Sequence, residues 1–343
     1  MWVKGEYFDD LDAVAATARA TLDRPAQPSP FDRLEWFRRT WACCPPGAAP
    51  LVVRTRTEGA DAWLFLARQA RGRLVALASW YTLAFAPVYS GAPDAALKRR
   101  LLRAVARRLR VASLGIARIT LSPVPADEAA LLAAAFRRAG WLAVSTPATV
   151  NWRLPVAGRV FAEYWAARPG ALRATVERKQ GRVAIRILDH FDADTWAAYE
   201  QVYAASWKPA EGAPAFLRGF AEDEGAAGTL RLGLAEIDGR PVAAQLWTVE
   251  NGTAVIHKLA HVEEAVEHSP GTLLSAALFA HAIDADGVQT VDFGTGDDGY
   301  KADWMEERHL LYRIELFNLR RPSAWPGAAR ARLSALVRRP RVD

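Results

Sequence analysis

Residues 292–305 read DFGTGDDGYKADWM and hold several side chains able to do chemistry. Asp292, Asp297 and Asp298 could take up a proton or attract a cation. Tyr300 could give a proton, and Lys301 could pair with an acid or a phosphate. Gly294, Gly296 and Gly299 spell G-x-G-x-x-G after the apolar run Val288 to Phe293, the spacing of a dinucleotide loop. The context argues against that reading. Such a loop opens a βαβ unit with a parallel sheet built after it, whereas here a short stretch ending in a basic tail follows. Asp297 and Asp298 would also repel a pyrophosphate. A calcium loop is excluded because its acidic positions and terminal Glu are missing.

A better anion site lies upstream. EHSPGTLLSAALFAHAI puts Ser269, Pro270, Gly271 and Thr272 at the start of an apolar helix. Ser269 reads as the cap and Pro270 as the first helical residue. Free N–H groups and the helix dipole at such an end attract phosphate, although plain capping explains the same residues.

Elements must hold these groups in place. In the first half, Asp10–Leu22 reads as a helix, and Ser29 and Pro30 open a second one across SPFDRLEWFRRTW. Residues 51–56, 63–70 and 75–81 read as strands. Residues 95–111 form an amphipathic helix with Leu97, Leu101, Val105 and Leu109 on one side and basic residues on the other. A strand over 116–121, a helix over 127–139 and a strand over 150–154 follow. In the second half, helices over 161–167 and 169–180 precede a strand over 183–188. Helices over 192–206 and 213–225 come next. Strands over 230–237, 242–249 and 253–261 then form two hairpins through DGR and ENG. The helix 270–285, the strand 288–293, the glycine loop, a short helix and the strand 310–319 complete the pattern. Two related α/β domains result, with a boundary near 145–160.

The chain has 343 residues, 51% hydrophobic and 24% charged, the balance of a folded protein with sizeable cores. Cys43 and Cys44 are adjacent and read as reduced thiols in a cytosolic protein; they make neither a disulfide framework nor a zinc site. The acidic start lacks the apolar segment of a signal peptide. The uncharged run 74–93 is broken by Pro87, Gly91 and Pro93, so strand, turn and strand are expected there in place of a membrane helix. Between residues 320 and 343, seven Arg against one Asp account for the whole net charge of +6. A second basic cluster, LKRRLLRAVARRLR, spans 97–110. Basic amphipathic segments of this kind lie on anionic membranes; a solvated helix face and a disordered tail are the plainer readings.

The order of strands, helix, strand, helix and strand resembles the GCN5-related N-acyltransferase fold. More narrowly it resembles the CelD-like acyltransferases, which are similar to the Fem-type peptidyltransferases in having tandem domains. The matching pieces are SWK (206–208), LAEIDGRPVAAQL (234–246), HKLAHVEEAVEHSPGTLL (257–274) and DFGTGDDGYKADW (292–304), with FDRLEWFRRTW agreeing more loosely. The usual Q/R-x-x-G-x-G/A pyrophosphate loop is replaced here by HSPGTL.

The resemblance implies two tandem acyltransferase-like domains, each a mixed, mostly antiparallel sheet flanked by helices. Residues 1–150 would form a degenerate domain, 151–319 the catalytic domain and 320–343 a basic amphipathic tail. It implies an N-acyltransferase using acyl-CoA as co-substrate, with no cofactor and no metal. The acyl arm would lie beside the strand carrying Leu259 and His261, with its diphosphate on Ser269, Pro270, Gly271 and Thr272. Transfer needs a base, an oxyanion donor and an acid for the leaving thiolate. His257 is the first choice of base; Asp292 and Asp297 are rivals, and Tyr300 stands where the fold often places its acid. Trp80, Tyr81, Trp207, Lys208, Lys301 and Trp304 are the expected acceptor contacts. The bacterial ceramide synthases resemble this type, so a long-chain donor and a sphingoid base are the specific expectation. The chain would then work in the cytoplasm at the inner face of an anionic membrane, reached through 320–343, and no nucleic acid is expected. The alternatives are transfer to envelope or exopolysaccharide amino sugars, Fem-like aminoacyl transfer, and a non-catalytic tandem domain binding lipid or nucleic acid.

Overall fold

A computed structural model describes residues 3–337. In chain order the elements begin with β1 (Lys4–Phe8), α1 (Leu11–Ala18), α2 (Leu34–Cys43), β2 (Ala49–Arg56), β3 (Asp61–Gln69), β4 (Arg73–Ala76) and β5 (Val88–Ser90). There follow α3 (Ala95–Leu109), β6 (Arg118–Pro125), α4 (Ala126–Arg138), β7 (Leu142–Pro155), α5 (Phe161–Ala166) and α6 (Gly170–Lys179). Next come β8 (Ala184–Leu188), α7 (Ala193–Ala204), α8 (Pro214–Ala226), β9 (Leu230–Ile237), β10 (Arg240–Glu250) and β11 (Thr253–His261). The last elements are α9 (Pro270–Ala280), β12 (Thr290–Thr295), β13 (Glu307–Phe317) and α10 (Trp325–Val337). The fold is mixed α/β. It divides into two compact units, residues 1–149 with 309–343, and residues 150–308.

In the first unit the strand order is β1-β2-β3-β4-β6-β13, antiparallel except for the parallel pair β4–β6. Residues 62–67 of β3 are buried without a break, because β3 lies inside the sheet with both faces covered. Phe65 stacks on Phe37 of α2 at 3.8 Å. Helix α3 buries Leu101, Leu102, Val105, Ala106 and Leu109 and is capped by Asp94, which accepts the Leu97 N–H. The strand expected over 75–81 stops at Ala76; a loop follows, and β5 returns to pair with β3.

Two sequence expectations are corrected here. Residues 309–319, read as the end of the second domain, group with the first unit because β13 pairs with β6 over 311–317. The segment after 320 is a folded helix as far as Val337, with Ala324, Ala328 and Ala331 packed on Phe317. Residues 338–343 of the expected tail lie outside the described residues.

In the second unit β12-β11-β10-β9-β8 follow one another, and the end of β7 flanks β12. The pairs are antiparallel except β11–β12. Helix α9 seats Leu274, Leu278 and Phe279 on this sheet. Gly233 allows the close approach, since a Cβ there would meet Leu278 at 2.8 Å. Tyr164, Phe279 and Trp304 stack at 5.4 and 5.1 Å in the core. No helix among the described residues is long and apolar enough to cross a membrane.

Candidate active site

Strands β11 and β12 pair only where Thr253–Val255 face Thr290–Asp292. Past that point their ladder ends, and among the described residues no strand pairs with this edge of β11 from Ile256 onward. The cause lies in the glycine loop. Gly294 and Gly296 have φ of 69° and 112°, which turn the chain away. Asp292 fixes the turn by accepting the Gly294 N–H at 2.9 Å, and it also accepts from Asn151 at 2.9 Å and Arg153 at 3.2 Å. Lys301 is buried beneath the loop and donates to the Thr295 carbonyl at 2.6 Å.

These contacts reassign several expected site residues. Asp292 is committed to its donors, and Asp297 to Arg308 at 2.6 Å, whose hydrogen bond holds the Asp297 carboxyl below its usual range. Neither is a ready base. Lys301 supports the loop, and Trp304 lies in the core between Phe279 and Trp165. Tyr300, 45% exposed, sets its ring edge against Phe293; partial desolvation and the Asp298 charge push its hydroxyl up to about 12, so it stays protonated. Trp80 and Tyr81 belong to the first unit, Trp80 exposed and Tyr81 buried.

On the other strand, Leu246 and Trp247 of β10 pair with Lys258 and Ile256, so His257 is the extra residue of a β-bulge. The bulge puts His257 and Lys258 on the side of α7 and α8. His257 Nε2 lies 2.8 Å from Thr248 Oγ1, with its ring at the edge of Phe220. Burial pushes its pKa down to about 3. Burial favours the neutral imidazole and Thr248 occupies its Nε2, and both argue against the first choice of base.

Beyond the bulge, Leu259 packs toward α9 and His261 sits over Gly271, where a Cβ would be 3.7 Å from the ring. Ser269 adopts φ 52° and gives no side-chain cap, against expectation. Its Oγ instead accepts from Lys179 of α6 at 2.8 Å. Pro270 has no N–H, and the Gly271 and Thr272 N–H groups find no acceptor among the described residues. Bare amides, a helix dipole and the Lys179 ammonium together make an anion seat.

Trp207 stands 4.3 Å from the His261 ring, and Lys208 lies at the Trp207 face. Lys208 is within electrostatic reach of Lys258, Lys301, Asp298 and Glu211; burial first, then the two lysines, lowers its pKa to about 8. It also lines a cavity of about 380 Å³ walled by Trp196, Tyr199, Tyr203, Leu217 and Glu211. Lys258 and Glu211 pair at 2.6 Å beside Tyr203. The Trp196 indole N–H has no acceptor among the described residues. The structure thus brings together Leu259, His261, Gly271, Trp207, Lys208 and the 292–301 loop. Sequence reasoning missed Lys179 and the cavity. The 196, 199, 203 spacing on one face of α7 is a signal for the cavity.

Residues 170–302 match the family model of the Acetyltransferase (GNAT) domain. No curated protein matches the sequence. Among solved structures, the chain is similar to a C-terminal domain from Agrobacterium fabrum that carries the name lysylphosphatidylglycerol synthetase. The TM-score is 0.58 at 13% identity, covering 96% of this chain and 97% of that one. It is similar to FemX, with TM-score 0.56 and 11% identity over 83% of this chain and 96% of that one. A tandem GNAT protein from the clavulanic acid biosynthesis pathway gives TM-score 0.50 and 13% identity, covering 91% and 98%. These likenesses concern the fold, which is GNAT-like with tandem neighbours.

Proposed function

We propose that the chain is an N-acyltransferase that moves an acyl group from a CoA thioester to a primary amine on an amphiphilic acceptor. One observation carries the reading. Lys208 stands between an aromatic cavity suited to an apolar body and a bare helix end suited to a diphosphate. The free edge of β11 can pair with the amides of a pantetheine arm as a strand would. The amine nitrogen attacks the thioester carbonyl, a C–N bond forms, and the C–S bond breaks. Neutral Lys208 takes the proton from the attacking amine, Tyr300 donates one to the leaving thiolate, and solvent carries the proton on Lys208 back to the tyrosinate, so the protons balance. An amphiphilic acceptor lies in a membrane, and the arginines after residue 320 would attract the chain to an anionic one.

A second reading, transfer of an aminoacyl group, has the FemX and lysylphosphatidylglycerol synthetase likenesses in its favour. A single assay separates the two. Purified chain is given palmitoyl-CoA with a sphingoid base, palmitoyl-CoA with glucosamine, or lysyl-tRNA with anionic lipid, and amide products are read by mass spectrometry. Amide on the sphingoid base is expected. Product on glucosamine alone moves the acceptor to amino sugars. Product from lysyl-tRNA alone replaces the reading with the second one.

A further inference from the structure

Several arginines of the first unit have carboxylate partners. Arg54 pairs with Asp61 and Glu6, and Arg118 with Glu315. At the ends of α3 and α4 and the start of the link to α10 the pattern reverses. Arg107, Arg110, Arg138, Arg320 and Arg321 surround a cleft of about 660 Å³. Among the described residues no carboxylate pairs with Arg107, Arg110, Arg138 or Arg320. The fold holds these like charges together. The Arg110 guanidinium lies on Gly140, where a Cβ would be 2.4 Å from Nη1, and donates to the Ala139 carbonyl at 3.0 Å. Its buried Nε–H has no acceptor among the described residues. Burial and the Arg320 charge both work against the Arg110 cation. Converging cations repel one another, and an anion seated among them relieves that repulsion. Guanidinium forks match phosphate oxygens two at a time.

We propose that this arginine cleft is a phosphate-binding site, taking either the phosphodiester headgroup of an anionic lipid or a soluble phosphate ester. The surroundings favour the lipid: Val111 lines the cleft, Leu319 precedes Arg320 in the chain, and the Trp325 indole donates to the Leu319 carbonyl at 3.0 Å, the three being 48%, 43% and 57% exposed. Apolar and indole side chains among arginines suit the boundary between headgroups and acyl chains. The site adds to the membrane part of the proposed function, and its test reads binding alone, so an inactive transferase would leave it standing.

The full chain is sedimented with vesicles of phosphatidylcholine, with and without a quarter phosphatidylglycerol, and its melting is followed with inorganic pyrophosphate. Arg138 and Arg320 are exposed, so the double variant R138Q/R320Q is expected to keep its fold. Binding to the anionic vesicles should weaken about fivefold for each arginine removed. The control R182Q/R240Q, two exposed arginines of the second unit outside the cleft, should lose less. Binding to anionic vesicles alone assigns the lipid source. A pyrophosphate-dependent rise in melting temperature, absent in R138Q/R320Q, assigns the soluble one. Equal losses in variant and control overturn the site in favour of diffuse attraction. Failure of both probes overturns it too, including the case in which only an RNA hairpin is retained.

Discussion

Lys208 is half-buried beside two other cations, Lys258 and Lys301, and its pKa near 8 follows first from burial and then from those charges. Its neutral fraction grows as pH rises through about 8, so a rate that needs it as base should climb through the same interval. Lys208→Met is expected to lower kcat by about 100-fold or more and to remove that limb of the pH profile. Lys208→Arg, cationic at every working pH, should not restore it. An unchanged profile in Lys208→Met takes Lys208 out of the reaction. His257→Gln should leave the profile in place and lower stability by about 1 kcal/mol through the lost Thr248 contact, read by urea unfolding. Residue types were legible here and their roles were not. SWK singles out Lys208 as a candidate, but its lowered pKa comes from burial first and then from Lys258 of β11 and Lys301 of the loop. His257 looked like a base because residue type carries no burial.

At the scale of elements, the fingerprint-like glycines perform different tasks. Gly294 and Gly296 bend the chain after β12 with positive φ, whereas a Cβ on Gly299 would meet no heavy atom within 4 Å. Gly296→Val should therefore lower stability by about 1–3 kcal/mol, while Gly299→Ala stays near neutral. Similar values for the two in urea unfolding would remove the bend argument. Lys301→Met would leave the Thr295 carbonyl without its donor, an expected loss of about 1–3 kcal/mol with the loop loosened. The helix and strand periods are visible in sequence, and the hairpins from β9 to β11 closely match their expected ranges. The bulge at His257 was not legible, since it is a mismatch between two strands.

For the whole chain, the segment after residue 320 is where composition misled most. Seven arginines from residue 320 onward suggested a basic amphipathic tail lying on a membrane or disordered, yet Ala324, Ala328 and Ala331 complete a small core on Phe317. A chain ending at Leu319 should melt lower, by about 2–4 °C for each kcal/mol of packing lost. An unchanged melting temperature would return the segment to the status of a tail. By itself, the sequence determined the apolar periods, the turns and the acyltransferase-like order of elements, because these depend on neighbours a few residues apart. It also favoured Ser269–Thr272 over the glycine loop as the place for an anion, because two adjacent Asp disfavour phosphate there. The tertiary structure alone decided which charges meet. Lys179 reaches Ser269, Lys208 meets cations from two other elements, and β13 joins β6 across nearly 200 positions of sequence. Such encounters fix basicity and burial, and no local pattern encodes them.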